Sequence, residues 1–154
     1  SVTFSSIPST YKALQIRING VSGVSSNEDD LYLRFNGDTN ANYSWHRLSG
    51  NGSGVGSQSS ASTTSIAYVG AVESLSAAAP AIIDIIDYAN TSKYKTLRSI
   101  NGFDTNGNAI GQAIRLVSGL WMSTSAINSI TLFITTGATN PYGSGTSIAL
   151  YGIK

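Results

Sequence analysis

The chain has 154 residues, a formal net charge of +1 and no cysteine. This length fits one domain that is large enough to bury a hydrophobic core. The lack of cysteine excludes disulfides and thiolate chemistry. The low net charge argues against electrostatic binding of nucleic acid. Ser, Thr, Asn and Gly make up 67 residues and charged residues only 11%, so we expect a surface of hydroxyls and amides. The hydrophobic fraction of 41% is too high for a disordered tail.

The start of the chain carries no recognisable targeting segment. No basic stretch precedes an apolar one, and no run of 18 apolar residues exists anywhere, so we expect neither a signal peptide nor membrane insertion. Residues 1–4 already read as a strand and no methionine precedes them. We therefore expect the chain to be cut from a longer polypeptide.

Alternation of apolar and polar residues with a period of two dominates the sequence and predicts β-strands. In chain order these strands are predicted at residues 1–4, 11–18, 31–36, 43–47, 65–72, 94–100, 114–122, 130–135 and 148–151. Each run is rich in β-branched or aromatic residues and is bounded by turn-forming residues. Asn-Gly pairs, which favour tight turns, separate several of the runs.

The segment from Pro80 to Tyr88 is ambiguous. Proline at a first helical position could open a helix, but residues 82–86 contain four isoleucines. Because β-branched side chains favour extended backbone, we predict a strand.

We predict an all-β fold, an antiparallel β-sandwich of jelly-roll type, with residues 1–154 forming a single domain. An up-and-down barrel is the structural alternative. Residues 49–64 are rich in Gly and Ser with almost no apolar content, and we predict a long flexible loop there. Residues 140–146 read as a shorter loop.

The ionisable residues do not form a recognisable catalytic set. His46 is the only histidine, and no serine lies in a G-x-S-x-G elbow. The acids at 28–30 read as an exposed turn, and Asp84 and Asp87 would face opposite sides of a strand. We therefore expect no enzyme activity and no catalytic residues.

Two Asx-rich segments resemble the start of a calcium loop, with oxygen donors at alternate positions from Asp38 and from Asp104. The position that should hold a bidentate glutamate is Ser49 in the first and Arg115 in the second. Asx-rich turns also give this spacing for backbone reasons, and we predict no metal site and no cofactor.

One loop-to-strand stretch offers an aromatic ring together with planar amides and a carboxylate, which are the groups that contact sugars. These candidate ligand-binding residues are Asn36, Asp38, Asn40, Asn42, Tyr43, Trp45, His46 and Arg47. For Trp45 itself we favour a core position, and Trp121 is predicted to be core or interface.

The basic residues are scattered, and their one local group is Lys93, Lys95 and Arg98. A groove that follows phosphates would need more bases with interleaved aromatics. We predict a solvated strand edge, where lysines also block edge pairing.

Several segments resemble a recurrent pattern in the C-terminal domains of bacteriophage virion structural and tail fibre proteins. They are residues 4–17, 33–39, 42–46, 85–96, 119–121, 126–131 and 147–154, ending on Tyr151-Gly152-Ile153-Lys154. The resemblance implies the C-terminal part of a longer virion protein, non-enzymatic, homotrimeric, and located on a tail fibre or capsid surface. The family's variable regions correspond to residues 50–64 and 137–146, which are loops by composition.

Two functions follow as expectations from the resemblance. The first is a tail fibre or receptor-binding adhesion domain that contacts host surface glycans. The alternative is a capsid-decorating or head-fibre domain whose only partners are other virion proteins.

Overall fold

A computed structural model shows an all-β chain. It describes residues 1–23, 28–73, 78–104, 113–135 and 141–154, except for the side chain of Glu28. Within these ranges no helix capable of crossing a membrane is found. The strands described are β1 (Val2–Phe4), β2 (Ala13–Gly20), β3 (Glu28–Phe35), β4 (Tyr43–Gly50), β5 (Val55–Thr63), β6 (Ile66–Glu73), β7 (Ala79–Ile86), β8 (Lys95–Gly102), β9 (Ile114–Trp121), β10 (Ile130–Phe133) and β11 (Ser147–Ile153).

The strands form two antiparallel sheets. The small sheet has the order β1-β10-β3-β6, and the large sheet has the order β11-β2-β7-β8-β9-β4-β5. The inward side chains of both sheets meet in one apolar core. This is a β-sandwich arrangement, and the non-sequential strand order in two sheets differs from an up-and-down barrel.

The predicted period-two pattern is confirmed along the strands, most clearly in β7. Ala79, Ala81, Ile83 and Ile85 are buried, and the residues between them are exposed. Residues 79–86 therefore form the strand that the isoleucine run predicts, and no helix begins at Pro80.

The two sheets approach each other closely at Gly119 of β9. A Cβ atom added there would lie 2.7 Å from the side-chain atoms Cδ1 and Cγ2 of Ile66 in β6. Since any larger residue would collide with Ile66, glycine at this position sets the local distance between the sheets.

The predicted loop over residues 49–64 is wrong for most of its length. Val55–Thr63 forms β5, which pairs with β4 along its length and lies at the edge of the large sheet. Backbone hydrogen bonds to β4 hold this strand, while its small polar side chains are almost all exposed. A strand of this kind buries little and shows no hydrophobic alternation, so the composition resembles a loop.

The predicted solvated edge around Lys95 is also wrong. β8 is the central strand of the large sheet, and Lys95 is only 1% exposed. Its ammonium group donates hydrogen bonds to the carbonyl oxygens of Lys93 at 2.7 Å and Thr124 at 3.2 Å. Lys93 itself is exposed and lies 3.7 Å from the carboxylate of Asp87.

Residues 28–30 were predicted as an exposed turn but belong to β3. Asp29 is 5% exposed, and Asp30 pairs with the guanidinium of Arg115 at 2.7 Å. Burial raises the pKa of Asp30 above its ordinary value although the Arg115 charge acts in the opposite direction.

Candidate functional site

The predicted ligand-binding stretch begins with Asn36, whose side chain is hydrogen-bonded to a distant segment of the chain. Asn36 has a left-handed backbone conformation, with φ at 52°. Its Oδ1 accepts hydrogen bonds from the N–H groups of Asn128 and Ser129, at 2.9 and 3.1 Å. Its Nδ2 donates to the carbonyl oxygen of Ala126 at 2.8 Å. Both ends of the Asn36 amide therefore hold the segment that leads into β10.

Asp38 is the centre of the turn between β3 and β4. Its Oδ1 accepts from the backbone and the side-chain amide of Asn40, both at 2.9 Å. Its Oδ2 accepts from Asn42 Nδ2 at 3.0 Å and from Trp121 Nε1 at 2.7 Å. Desolvation acts to raise the pKa of Asp38, but these hydrogen bonds outweigh it and hold the pKa below its ordinary value. The polar groups of this turn thus satisfy one another.

The two aromatic residues of the stretch are both in the core. Tyr43 is 0% exposed and Trp45 6%, which agrees with the core position favoured for Trp45. The N–H of Phe35 donates to the Tyr43 hydroxyl at 3.1 Å, and that hydroxyl lies 3.2 Å from the Phe35 carbonyl oxygen. Burial raises the pKa of Tyr43 to about 12. Neither ring offers an open face to a sugar.

His46 and Arg47 follow on β4 and point to opposite sides of the large sheet. Arg47 places its guanidinium 4.0 Å from the centre of the Tyr68 ring. His46 is exposed and lines a shallow groove of about 430 Å³ with Ser57, Ser59 and Ser118. The structure therefore separates these two candidates from each other and from the turn around Asp38.

The outer face of the large sheet is the surface turned away from the core. Four apolar side chains from four neighbouring strands lie there in direct register, and we call them the apolar row: Leu48, Leu116, Ile100 and Ile82. They are 54%, 48%, 59% and 46% exposed, respectively. Contiguous exposed apolar side chains of this kind are typical of an interaction surface rather than of a free one.

A depression of about 700 Å³ opens along one side of the apolar row. Ile82 and Ile100 of the row line it together with Pro80, Phe103 and Ile114, and Ile114 is 68% exposed. A concave apolar surface beside an apolar row could receive a large side chain from a partner.

A second set of side chains crosses the same face beside the apolar row, and we call it the polar row: His46, Ser118, Arg98, Asp84 and Gln15. Gln15 Nε2 donates to Asp84 at 2.9 Å. Arg98 and Asp84 are directly paired across β8 and β7, yet no ion pair joins them among the described residues. The outer face therefore combines an apolar row with exposed charges of both signs.

The outer side of the small sheet carries a different group, in which one arginine stacks on an aromatic ring. Tyr32 and Phe133 have ring centres 5.7 Å apart, and the guanidinium of Arg34 lies 4.4 Å from the Phe133 ring centre. Since Arg34 also donates to the carbonyl oxygen of Thr64 at 2.9 Å, these contacts hold the group internally.

The sequence predictions did not identify the outer face as a site. Its signal was present in residues 82–86, where apolar residues occupy both faces of one strand. A strand that is apolar on its outward face needs either a covering element of the same chain or a partner. Register between strands was needed to show that Ile82 continues into Ile100 and Leu116.

The described residues hold no cluster of three or more His, Cys, Asp or Glu suited to a metal ion. The oxygens of Asp38 are engaged with Asn40, Asn42 and Trp121. The second calcium-like segment continues from Asp104 into residues 105–108, which lie outside the described ranges.

Comparison of the chain with protein-family models, with curated proteins and with solved structures finds no match.

Proposed function

We propose that the chain is a non-enzymatic structural domain of a bacteriophage virion, which acts by docking the outer face of its large sheet onto a neighbouring chain of the virion. The observation that carries the docking role is the apolar row with its adjoining depression. The virion setting, on a tail fibre or capsid surface, rests on the sequence resemblance described above.

Burial of the apolar row would contribute a useful binding energy. Fully burying one Leu or Ile side chain contributes about 1.5–3 kcal/mol, so covering the exposed halves of four contributes roughly 3–6 kcal/mol. Leu116 and Ile100 lie at the middle of the row and are the anchors expected to matter most. The polar row beside them would fix the orientation of the bound partner.

The proposal includes a jelly-roll connectivity with an inserted hairpin. If β7, β8 and β11 are set aside, eight strands remain in the orders β1-β10-β3-β6 and β2-β9-β4-β5. Eight strands in two such sheets fit a jelly roll. In this interpretation the hairpin of β7 and β8 widens the large sheet and supplies Ile82 and Ile100 of the apolar row.

Labelling of intact phage particles tests the virion assignment. A gold-labelled antibody raised against the chain should decorate a fixed position on the particle, either on the tail or on the capsid. Particles that contain the chain nowhere would contradict the proposal.

A second candidate function is adhesion to host surface glycans, and the groove beside His46 favours it. Hydroxyl groups of Ser57, Ser59 and Ser118 line that groove next to the imidazole, and such groups can hydrogen-bond to sugar hydroxyls. A glycan array with the wild-type chain and with His46→Ala tests this candidate. Binding that is lost in His46→Ala would support it, and no binding by the wild type would contradict it.

A further inference from the structure

We propose that the outer face of the large sheet pairs with the same face of a second copy of this chain, about a two-fold axis that runs between β7 and β8, parallel to the strands. The inference rests on the docking face of the proposed function and names its partner. It replaces the homotrimer that the sequence resemblance implies with a two-fold pair. An axis in this position places each residue of β7 opposite its β8 register partner in the other copy. The contact is therefore isologous, with the same residues used on both sides.

Charge complementarity is the first argument. Asp84 and Arg98 are register partners on β7 and β8, so the two-fold axis sets each Arg98 opposite the partner's Asp84, and each Asp84 opposite the partner's Arg98. Within the described part of one chain Arg98 has no hydrogen bond or ion pair, while Asp84 accepts one hydrogen bond from Gln15. Two equivalent ion pairs between Arg98 and Asp84 can therefore form across the interface.

Apolar matching is the second argument. Ile82 and Ile100 are also register partners, so the same axis gathers four isoleucine side chains, two from each copy, at the centre of the contact. Leu116 would then lie opposite the stem of Arg17 in the other copy, because β9 and β2 are equally far from the axis. Arg17 is held in place by its bond to Gln15 and by the ring of Tyr151.

The size of the face is the third argument. Six of the seven strands overlap in this arrangement, with β5 left outside, and at about 4.8 Å each they span about 29 Å. Strands of eight residues at about 3.3 Å each give a length of about 26 Å. The resulting area of about 750 Å² is close to the roughly 800 Å² that each partner contributes to a standard-size interface.

A charge swap tests the pairing. Sedimentation velocity of the wild-type chain should give a species of twice the 16.0 kDa chain mass. Arg98→Asp and Asp84→Arg should each be monomeric, because each brings like charges together at the axis. An equimolar mixture of the two variants should return to the dimer mass, since one variant then faces the other with opposite charges.

Folding and alternative partners are controlled in the same experiment. Circular dichroism should show all variants folded, because both side chains are exposed. A trimer, a wild-type monomer, or a mixture that stays monomeric would overturn the proposal. If the wild type is monomeric but its outer face still attaches to virion proteins, the second-copy proposal fails and the proposed function stands.

Discussion

The indole Nε1–H of Trp121 donates a hydrogen bond to the carboxylate of Asp38 at 2.7 Å, across 83 positions of the chain. This hydrogen bond connects the turn between β3 and β4 to the end of β9. The Trp121 ring itself packs against the core aromatic rings of Phe35 and Tyr43. The carboxylate of Asp38, which the sequence indicated as a sugar ligand, therefore accepts hydrogen bonds from its own chain instead. Its hydrogen-bond partners explain why this turn does not present a free binding site.

Substitution of Asp38 should lower stability in a graded way. Asp38→Ala leaves the Trp121 N–H and the Asn42 amide without their acceptor, and hydrogen bonds to charged groups contribute about 1.5–3 kcal/mol. Asp38→Asn keeps one acceptor oxygen and should lose less. Urea unfolding should rank the wild type above Asp38→Asn and Asp38→Asn above Asp38→Ala. Equal stabilities would contradict the structural role.

The pH dependence of stability should carry the signature of Asp38. The pKa of Asp38 is lowered in the folded state, so its contribution is present above the unfolded pKa and is lost as pH falls through the folded pKa. The stability advantage of the wild type over Asp38→Asn should therefore shrink on acidification from neutral pH to below the Asp38 pKa. Unfolding curves at a series of pH values measure this, and an advantage that is independent of pH would contradict it.

The contribution of Asp30 to stability should depend on pH in the opposite direction to that of Asp38. Burial raises its pKa in the folded state, so the folded chain holds the proton more tightly than the unfolded chain. The stability of the wild type relative to Asp30→Asn should fall as pH rises through the Asp30 pKa. The same unfolding series detects this, and a rise would be the contrary result.

Gly119→Ala should destabilise the sandwich by about 1–3 kcal/mol, because the new methyl group overlaps Ile66. Gly54→Ala is the matched control, since a Cβ at Gly54 has nothing within 4 Å. Combining Gly119→Ala with Ile66→Val should recover part of the loss, as valine lacks the Cδ1 atom. Thermal unfolding of the three variants measures these effects, and a neutral Gly119→Ala would contradict the close approach of the sheets.

Much of the fold could be predicted because the strands that bury side chains repeat apolar residues at every second position. Ile83 and Ile85 in β7 and Leu31 and Leu33 in β3 follow this rule. β5 could not be predicted in this way, because an edge strand held by its backbone leaves no alternation in residues such as Ser57 and Ser59.

The site was harder to predict than the fold. Amides and aromatics of residues 36–45 have the composition of a sugar site, but hydrogen bonds across the chain, such as that from Trp121 to Asp38, use their polar groups internally. The apolar row depends on strand order and register, which bring Leu48 beside Leu116. Local sequence patterns contain neither the strand order nor the register. Lys95 illustrates the same limit, because its burial follows from the central position of β8.

Incorporation of outer-face variants into phage particles tests the docking claim most directly. The chain with Ile100→Ser and Leu116→Ser, and a control with Tyr94→Ser, should each be quantified in purified particles by immunoblotting against the wild type. Tyr94 is 56% exposed but lies outside the strands of the face. The docking claim predicts a strong loss of the double variant and normal incorporation of the control. Equal incorporation of a folded double variant would contradict it.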